Sequence, residues 1–264
     1  MGAPPPRASA AASRPRAPWR PVAGLFAPEQ RALAVALLIV GGSWLFAAVA
    51  WAAMHGESRA IDEAVLRALR DPRAPEQLRG PAWLAGAARD ITALGSHPVI
   101  VPLLLAATGF LLLMRQPAMA LAMFAAGAGA MALNVSLKQL FARPRPQLVP
   151  RLTEVSFASF PSGHALLSAA VYLSIAVLVA RLIPYRRVRL YGLALAGALV
   201  ALVGFSRVLL GVHYPTDVVA GWVVGGLWAL LCGVATRELQ QRGTVEPPVS
   251  GDPLAPRGPA APRR

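Results

Sequence analysis

The stretch Ser206-Arg207-Val208-Leu209-Leu210-Gly211-Val212-His213-Tyr214-Pro215-Thr216-Asp217 puts an arginine, a histidine and an aspartate at the junction of two long apolar runs. Ionisable groups at membrane depth are costly and mark sites more often than scaffolds. A carboxylate four residues after an imidazole can fix one ring tautomer and leave the other nitrogen free to attack. Arg207 adds a fixed cationic fork suited to phosphate oxygens. A second cluster is Lys138 followed by Phe141-Ala142-Arg143-Pro144-Arg145-Pro146. Its alternating prolines stiffen the chain, so that Arg145 returns over the mouth of the preceding helix. A third is Phe160-Pro161-Ser162-Gly163-His164. There Ser162 can N-cap a helix, Gly163 allows close backbone approach, and free first-turn amides face an anion beside His164.

The elements that position these groups follow from composition. The chain has 264 residues, of which 56% are hydrophobic and only 14% charged, with a mean hydropathy of +0.52. A soluble domain of this size carries far more charge, which identifies an all-α polytopic membrane protein. The net charge of +14 comes largely from arginines near the termini and in short loops. That pattern suits anionic lipids and orientation signals rather than a nucleic-acid-binding face. The lone cysteine, Cys232, lies in an apolar run and cannot form an intrachain disulfide. It reads as a small core residue.

Residues 1–28 and 237–264, rich in Pro and Arg, read as disordered cytoplasmic tails around a six-span domain over 29–236. About 20 apolar residues cross a bilayer. On that measure the spans are Ala32–Met54, Pro98–Met114, Ala118–Phe141, His164–Leu182, Val188–Leu210 and Pro215–Thr236. Between the first two, Ser58–Arg70 predicts an amphipathic helix on the membrane surface or against the bundle. Ile61, Ala64, Val65, Ala68 and Leu69 form one stripe, while Arg59, Asp62, Glu63, Arg67 and Arg70 fill the other face. Ser58 is its expected N-cap and Asp71-Pro72 its stop, and a weaker helix starts near Pro81. No catalytic role is indicated for 55–97. Asn134 shares a helical face with Lys138 and is a candidate support for it. Gly221 and Gly225 make a GxxxG pair, a packing motif that also recurs by chance. His55 and His97 read as structural, and Glu154 as a solvated loop acid.

Loop charge orients the spans. Six spans put both tails on one side with the 115–117 turn and the 181–189 loop, and the arginines at 7, 14, 16, 20, 181, 186, 187 and 189 make that side cytoplasmic. The segments 55–97, 142–163 and 211–214 then face outward. The outward loop is itself basic, through Arg143, Arg145 and Arg151, which suggests an anion site.

Lys138-x6-Arg145-Pro146, Pro161-Ser162-Gly163-His164 and Ser206-Arg207-x5-His213-x3-Asp217, complete and in order, resemble the three signature motifs of the type 2 phosphatidic acid phosphatase superfamily. The resemblance covers about residues 30–236. It implies a membrane phosphatase acting on lipid phosphates or polyprenyl pyrophosphates. His213 would be the nucleophile that forms a phosphohistidine, with Asp217 holding its ring, and His164 the general acid and later the base. Lys138, Arg145, Arg207, Ser162 and Gly163 would cradle the phosphoryl oxygens. Arg143 is a further candidate, since the doubled Arg-Pro lets either arginine face the phosphate. The resemblance also implies activity without a metal or other cofactor, and the sequence carries neither a carboxylate cluster for Mg²⁺ nor a His-rich zinc pattern.

The motifs read only the phosphate end, so phosphatidate, phosphatidylglycerol phosphate and polyprenyl pyrophosphates all remain open as substrates. So do a phosphotransferase working through the same histidine and a non-enzymatic lipid-binding or transport bundle. Vanadate-binding haloperoxidases resemble the site too, but are not expected to span membranes.

Overall fold

A computed structural model describes residues 28–153, 158–183 and 185–243; Glu154 and most of both expected tails lie outside these. The chain runs through α1 (Pro28–His55), α2 (Arg59–Ala68), β1 (Arg70–Asp71), β2 (Ala74–Leu78), α3 (Trp83–Ala93), α4 (His97–Leu113), α5 (Pro117–Phe141), α6 (Gly163–Leu182), α7 (Arg186–Leu209) and α8 (Pro215–Gln241). Among the described residues, six helical stretches are long and apolar enough to cross a membrane, with α3 and α4 forming one of them. Leu113, Leu121 and Phe205 are exposed on their outer faces. Lipid is the solvent such faces require, because a helix satisfies its own backbone polar groups there. The last helix outruns the expected Thr236 boundary and ends at Gln241.

The chain forms two compact units, 1–37 and 38–264. In the first, the described residues 28–37 are helical. The second is organised around α6, which packs most closely on α8 and α7 and also touches α5 and α4. The Gly221/Gly225 pair is the reason α6 and α8 come so close. A Cβ on Gly225 would stand 2.3 Å from the Leu166 carbonyl oxygen, and one on Gly221 would stand 2.7 Å from that of Ser162. Ser162 N–H then donates to the Asp217 carbonyl at 2.9 Å, tying the start of α6 to α8.

The 142–163 loop is pinned at both ends by aromatic packing. Phe141 and Phe160 meet edge-to-face at 5.0 Å, and Phe46 of α1 contacts both rings at 6.0 and 6.1 Å.

The segment after α1 departs from its sequence pattern. Ser58 forms no side-chain cap, and its hydroxyl donates to Asp62 at 3.0 Å. Ile61 and Val65 of the expected apolar stripe are exposed, whereas Asp62, Leu66 and Arg70 are buried. The helix is therefore turned so that a carboxylate faces the bundle. A short antiparallel hairpin, β1–β2, follows it and was not expected from the sequence. Arg70 inserts from that hairpin to donate to the Leu209 carbonyl at 2.8 Å, capping the end of α7.

Candidate active site

Gly211, at φ +72°, turns the chain after α7, and Pro215 opens α8. Between them His213 is left almost wholly buried. Its Nδ1 lies 3.4 Å from Asp217 Oδ2. That same oxygen accepts the Tyr214 amide at 2.9 Å and a short hydrogen bond from the Ser159 hydroxyl. Asp217 is thus fixed against the ring by a backbone donor, a hydroxyl and the helix start. Burial pushes the His213 imidazole down to about 3, while Asp217 pulls the other way. Burial thus favours the neutral ring, the form in which an imidazole can act as a nucleophile.

His213 lines a cavity of about 670 Å³ together with Lys138, Arg145, Gly163, His164 and Arg207. Arg145 donates from Nη1 to the Val212 carbonyl at 2.9 Å and lies 3.1 Å from His213 Nε2. Burial lowers its pKa, against the pull of Asp217. Lys138 Nζ donates to the Ala158 carbonyl at 2.6 Å. Arg207 Nη1 donates to Thr92 Oγ1 at 2.9 Å, while its Nε is buried without a hydrogen-bond acceptor. The motif cations therefore converge with both imidazoles on one space. Ser162 lies behind Gly163 at the N-cap position of α6. Its hydroxyl is buried and unpartnered, so the capping bond expected there is absent.

Arg143 does not face this cavity. Its Nη1 donates to Asp217 Oδ1 at 2.6 Å and its Nη2 to Asp62 Oδ2 at 3.1 Å, and its guanidinium lies 4.3 Å over the Tyr214 ring. Of the two arginines offered by the doubled Arg-Pro, Arg145 lines the cavity, while Arg143 is taken up by two buried carboxylates. Asn134 is also placed differently. It is buried against Gly163, its Oδ1 is unpartnered, and it makes no bond to Lys138.

Sequence reasoning missed the contribution of 55–97. Thr92 holds Arg207, Asp62 holds Arg143, and Arg89, Ser96 and His97 line the cavity. Only the Ser159 contact had a usable signal, since it directly precedes the Phe160–His164 motif. His55, by contrast, is a local feature bonded to the Trp51 carbonyl and stacked on that ring.

The PAP2 superfamily model matches residues 118–240, the part that carries all three motif clusters. Phosphatidylglycerophosphatase B of Bacillus subtilis (strain 168) is 34% identical over 186 residues, covering 69% of this chain and 87% of that protein. The chain belongs to the PAP2 superfamily. A second PAP2-like relative, decaprenylphosphoryl-5-phosphoribose phosphatase of Mycobacterium tuberculosis (strain CDC 1551 / Oshkosh), is 36% identical over 55% of this chain and 76% of its own length. The crystal structure of a transmembrane PAP2 type phosphatidylglycerolphosphate phosphatase from Bacillus subtilis superposes with a TM-score of 0.69 at 30% identity. It covers 77% of this chain and 98% of that one. This PAP2 chain is accordingly a multi-span membrane phosphatase.

Proposed function

We propose that the protein hydrolyses a phosphate ester or anhydride of a membrane lipid through a phosphohistidine on His213. The observation that carries this reading is the convergence of His213, His164, Lys138, Arg145 and Arg207 on one cavity. In the first step His213 Nε2 attacks phosphorus and the bond to the leaving oxygen breaks. That oxygen takes its proton from His164. Arg145, now against Nε2, turns its N–H groups to the phosphoryl oxygens and frees the lone pair. Asp217 accepts the Nδ1 proton's hydrogen bond and offsets the positive charge on the ring. In the second step water attacks phosphorus, its proton passes to His164, and the P–N electron pair returns to His213.

Lys138, Arg145, Arg207, the Ser162 hydroxyl and the Gly163 amide hold the three equatorial oxygens. Preorganised donors of this kind are worth about 3–4 kcal/mol each. Their permanent charges supply what a divalent ion supplies at other phosphoryl-transfer sites, so the reaction proceeds without a metal. The relatives named for phosphatidylglycerophosphate and for a decaprenylphosphoryl sugar phosphate support a substrate whose apolar tail stays in the bilayer. The arginine bias of the loops supports cytoplasmic termini and a site at the outer face of the cell membrane.

The test is incubation of purified protein with labelled lipid phosphates and polyprenyl pyrophosphates in EDTA. Inorganic phosphate release is expected, with an acid-labile label on the protein that is absent in His213→Ala. Full turnover by that variant would overturn the reading. Transfer to an added alcohol instead of water would reassign the enzyme as a phosphotransferase.

A further inference from the structure

The buried network behind His213 extends to a residue outside the three motifs and outside the matched span 118–240. Asp62 of α2 is fully buried. Its Oδ2 accepts Arg143 Nη2 at 3.1 Å, Thr216 Oγ1 at 2.7 Å and Ser58 Oγ at 3.0 Å, and its Oδ1 accepts the Thr216 amide at 3.1 Å. Thr216 Oγ1 in turn lies 3.0 Å from Arg143 Nη1, which donates to Asp217 Oδ1 at 2.6 Å. One guanidinium is thus shared by two buried carboxylates, and the Thr216 hydroxyl links Asp62 to that guanidinium.

Charge explains why the second carboxylate matters. An arginine paired with Asp217 alone would neutralise the acid that must balance the charge growing on His213. With Asp62 on its other nitrogen, Arg143 gives Asp217 a fixed hydrogen bond while the trio keeps one negative charge. A buried guanidinium with both forks occupied is also held in a single orientation. Resting on the phosphohistidine reading above, the geometry points to Asp62 as a positioning residue for the reaction: through Arg143 and Thr216 it holds Asp217 in place and keeps Arg143 from cancelling its charge. It touches neither the cavity nor the substrate, so it acts on the chemical step and not on binding. The same contacts tie α2 to the catalytic turn.

The experiment compares Asp62→Asn with Leu66→Ala, one turn further along the same helix. Leu66 is buried among Ala165, Val208 and Val218 and has no polar link to Asp217. Phosphate release, KM, melting temperature and the rate of acid-labile protein labelling are measured for each in detergent. Asp62→Asn is expected to lower kcat at least tenfold and slow labelling in parallel, with KM within twofold. Leu66→Ala is expected to lower the melting temperature while kcat per folded enzyme stays within twofold. Thr216→Val, which removes one bridging hydroxyl and no charge, is expected to lower kcat about threefold at constant KM. The inference is overturned if Asp62→Asn keeps kcat within twofold, or if Leu66→Ala lowers kcat as much as Asp62→Asn does. Should Asp62→Asn fail to fold, an unchanged kcat in Thr216→Val overturns it equally. His213→Ala run alongside separates the two levels: turnover in that variant removes the mechanism, whereas its loss with an active Asp62→Asn removes only the role of Asp62.

Discussion

Replacing Arg143 with glutamine separates a phosphate ligand from a structural tie. Arg143 is 9% exposed, and Asp62 and Asp217 are 0% exposed. Removing the shared cation leaves two carboxylates buried without a counter-charge. Breaking a buried ion pair by deleting one partner typically costs about 3–5 kcal/mol. Here the lower end applies, because Asp62 keeps its bonds from Ser58 and Thr216, and Asp217 keeps those from Ser159 and Tyr214. About 3 kcal/mol is a large share of the roughly 5–15 kcal/mol by which folded proteins are stable. At about 2–4 °C per kcal/mol for a chain of this size, it corresponds to a fall in melting temperature of about 6–12 °C. The assay is thermal melting of detergent-purified protein with and without inorganic phosphate, whose stabilising increment reports phosphate affinity. Arg143→Gln is expected to melt early yet keep the phosphate increment. Arg145→Gln, whose parent side chain lines the cavity, is expected to lose the increment. An Arg143→Gln protein with an unchanged melting point and no response to phosphate would refute the reasoning and put Arg143 back on the anion.

Three further outcomes follow from the same geometry. Ser159→Ala removes a hydrogen bond to a buried carboxylate, an interaction worth about 1.5–3 kcal/mol; steady-state kinetics should show kcat down about tenfold with KM within twofold, and an unchanged kcat would mean that Ser159 does not hold Asp217. Gly225→Ala drives a Cβ into the α6 backbone, whereas nothing lies within 4 Å of a Cβ on Gly226. The first should cost about 1–3 kcal/mol and lower activity by moving α8 against α6, while Gly226→Ala should be neutral or slightly stabilising; equal melting points would contradict the close approach. Because His213 is pushed from 6.5 down to about 3, the folded state binds fewer protons than the unfolded one between those values. Its contribution to stability is therefore present above about pH 6.5 and lost as pH falls toward 3. The melting temperature should fall with acidification over that range in the native protein, and less steeply in His213→Gln.

The spans and all three motif clusters were legible because their signals are local. Long apolar runs name helices, and Lys138, His164, Arg207 and His213 each sit where a run ends. Asp62 and Thr92 were not legible, because each acts on a motif residue far away in sequence, Arg143 and Arg207. Periodicity actively misled at α2. It sorted residues into an apolar stripe for the interior and a charged face for solvent, a rule that holds when the outside is water. In a membrane protein the outside of a helix can be apolar, and the interior of a catalytic bundle needs counter-charges. Ile61 consequently faces out while Asp62 and Arg70 face in. Gly221 and Gly225 illustrate the opposite error: a motif common by chance turned out to set the distance between the two helices that carry His164 and Asp217.

The partners of the cations explain how one cavity could hold both the proposed carboxylate-backed nucleophile and the proposed anion site. Asp217, left free, would compete with phosphate for the nearby arginines and close the cavity as a set of salt bridges. It is instead occupied from behind, by Arg143 on one oxygen and by Ser159 and Tyr214 on the other. On the cavity side Lys138 is held by the Ala158 carbonyl and Arg207 by the Thr92 hydroxyl, neutral oxygens that fix each cation without discharging it. Neutral acceptors give modest bonds compared with an ionised one. On the proposed function, a phosphoryl group entering the cavity would replace weak partners with strong ones and displace no carboxylate from Lys138 or Arg207. Reversing that arrangement tests it: Thr92→Asp would place a carboxylate on Arg207 inside the cavity. Phosphate binding should fall by more than tenfold while Thr92→Asn, matched in shape, stays within about threefold of the native protein. Equal losses in the two variants would show that Arg207 depends on the shape of its partner and not on the partner's lack of charge.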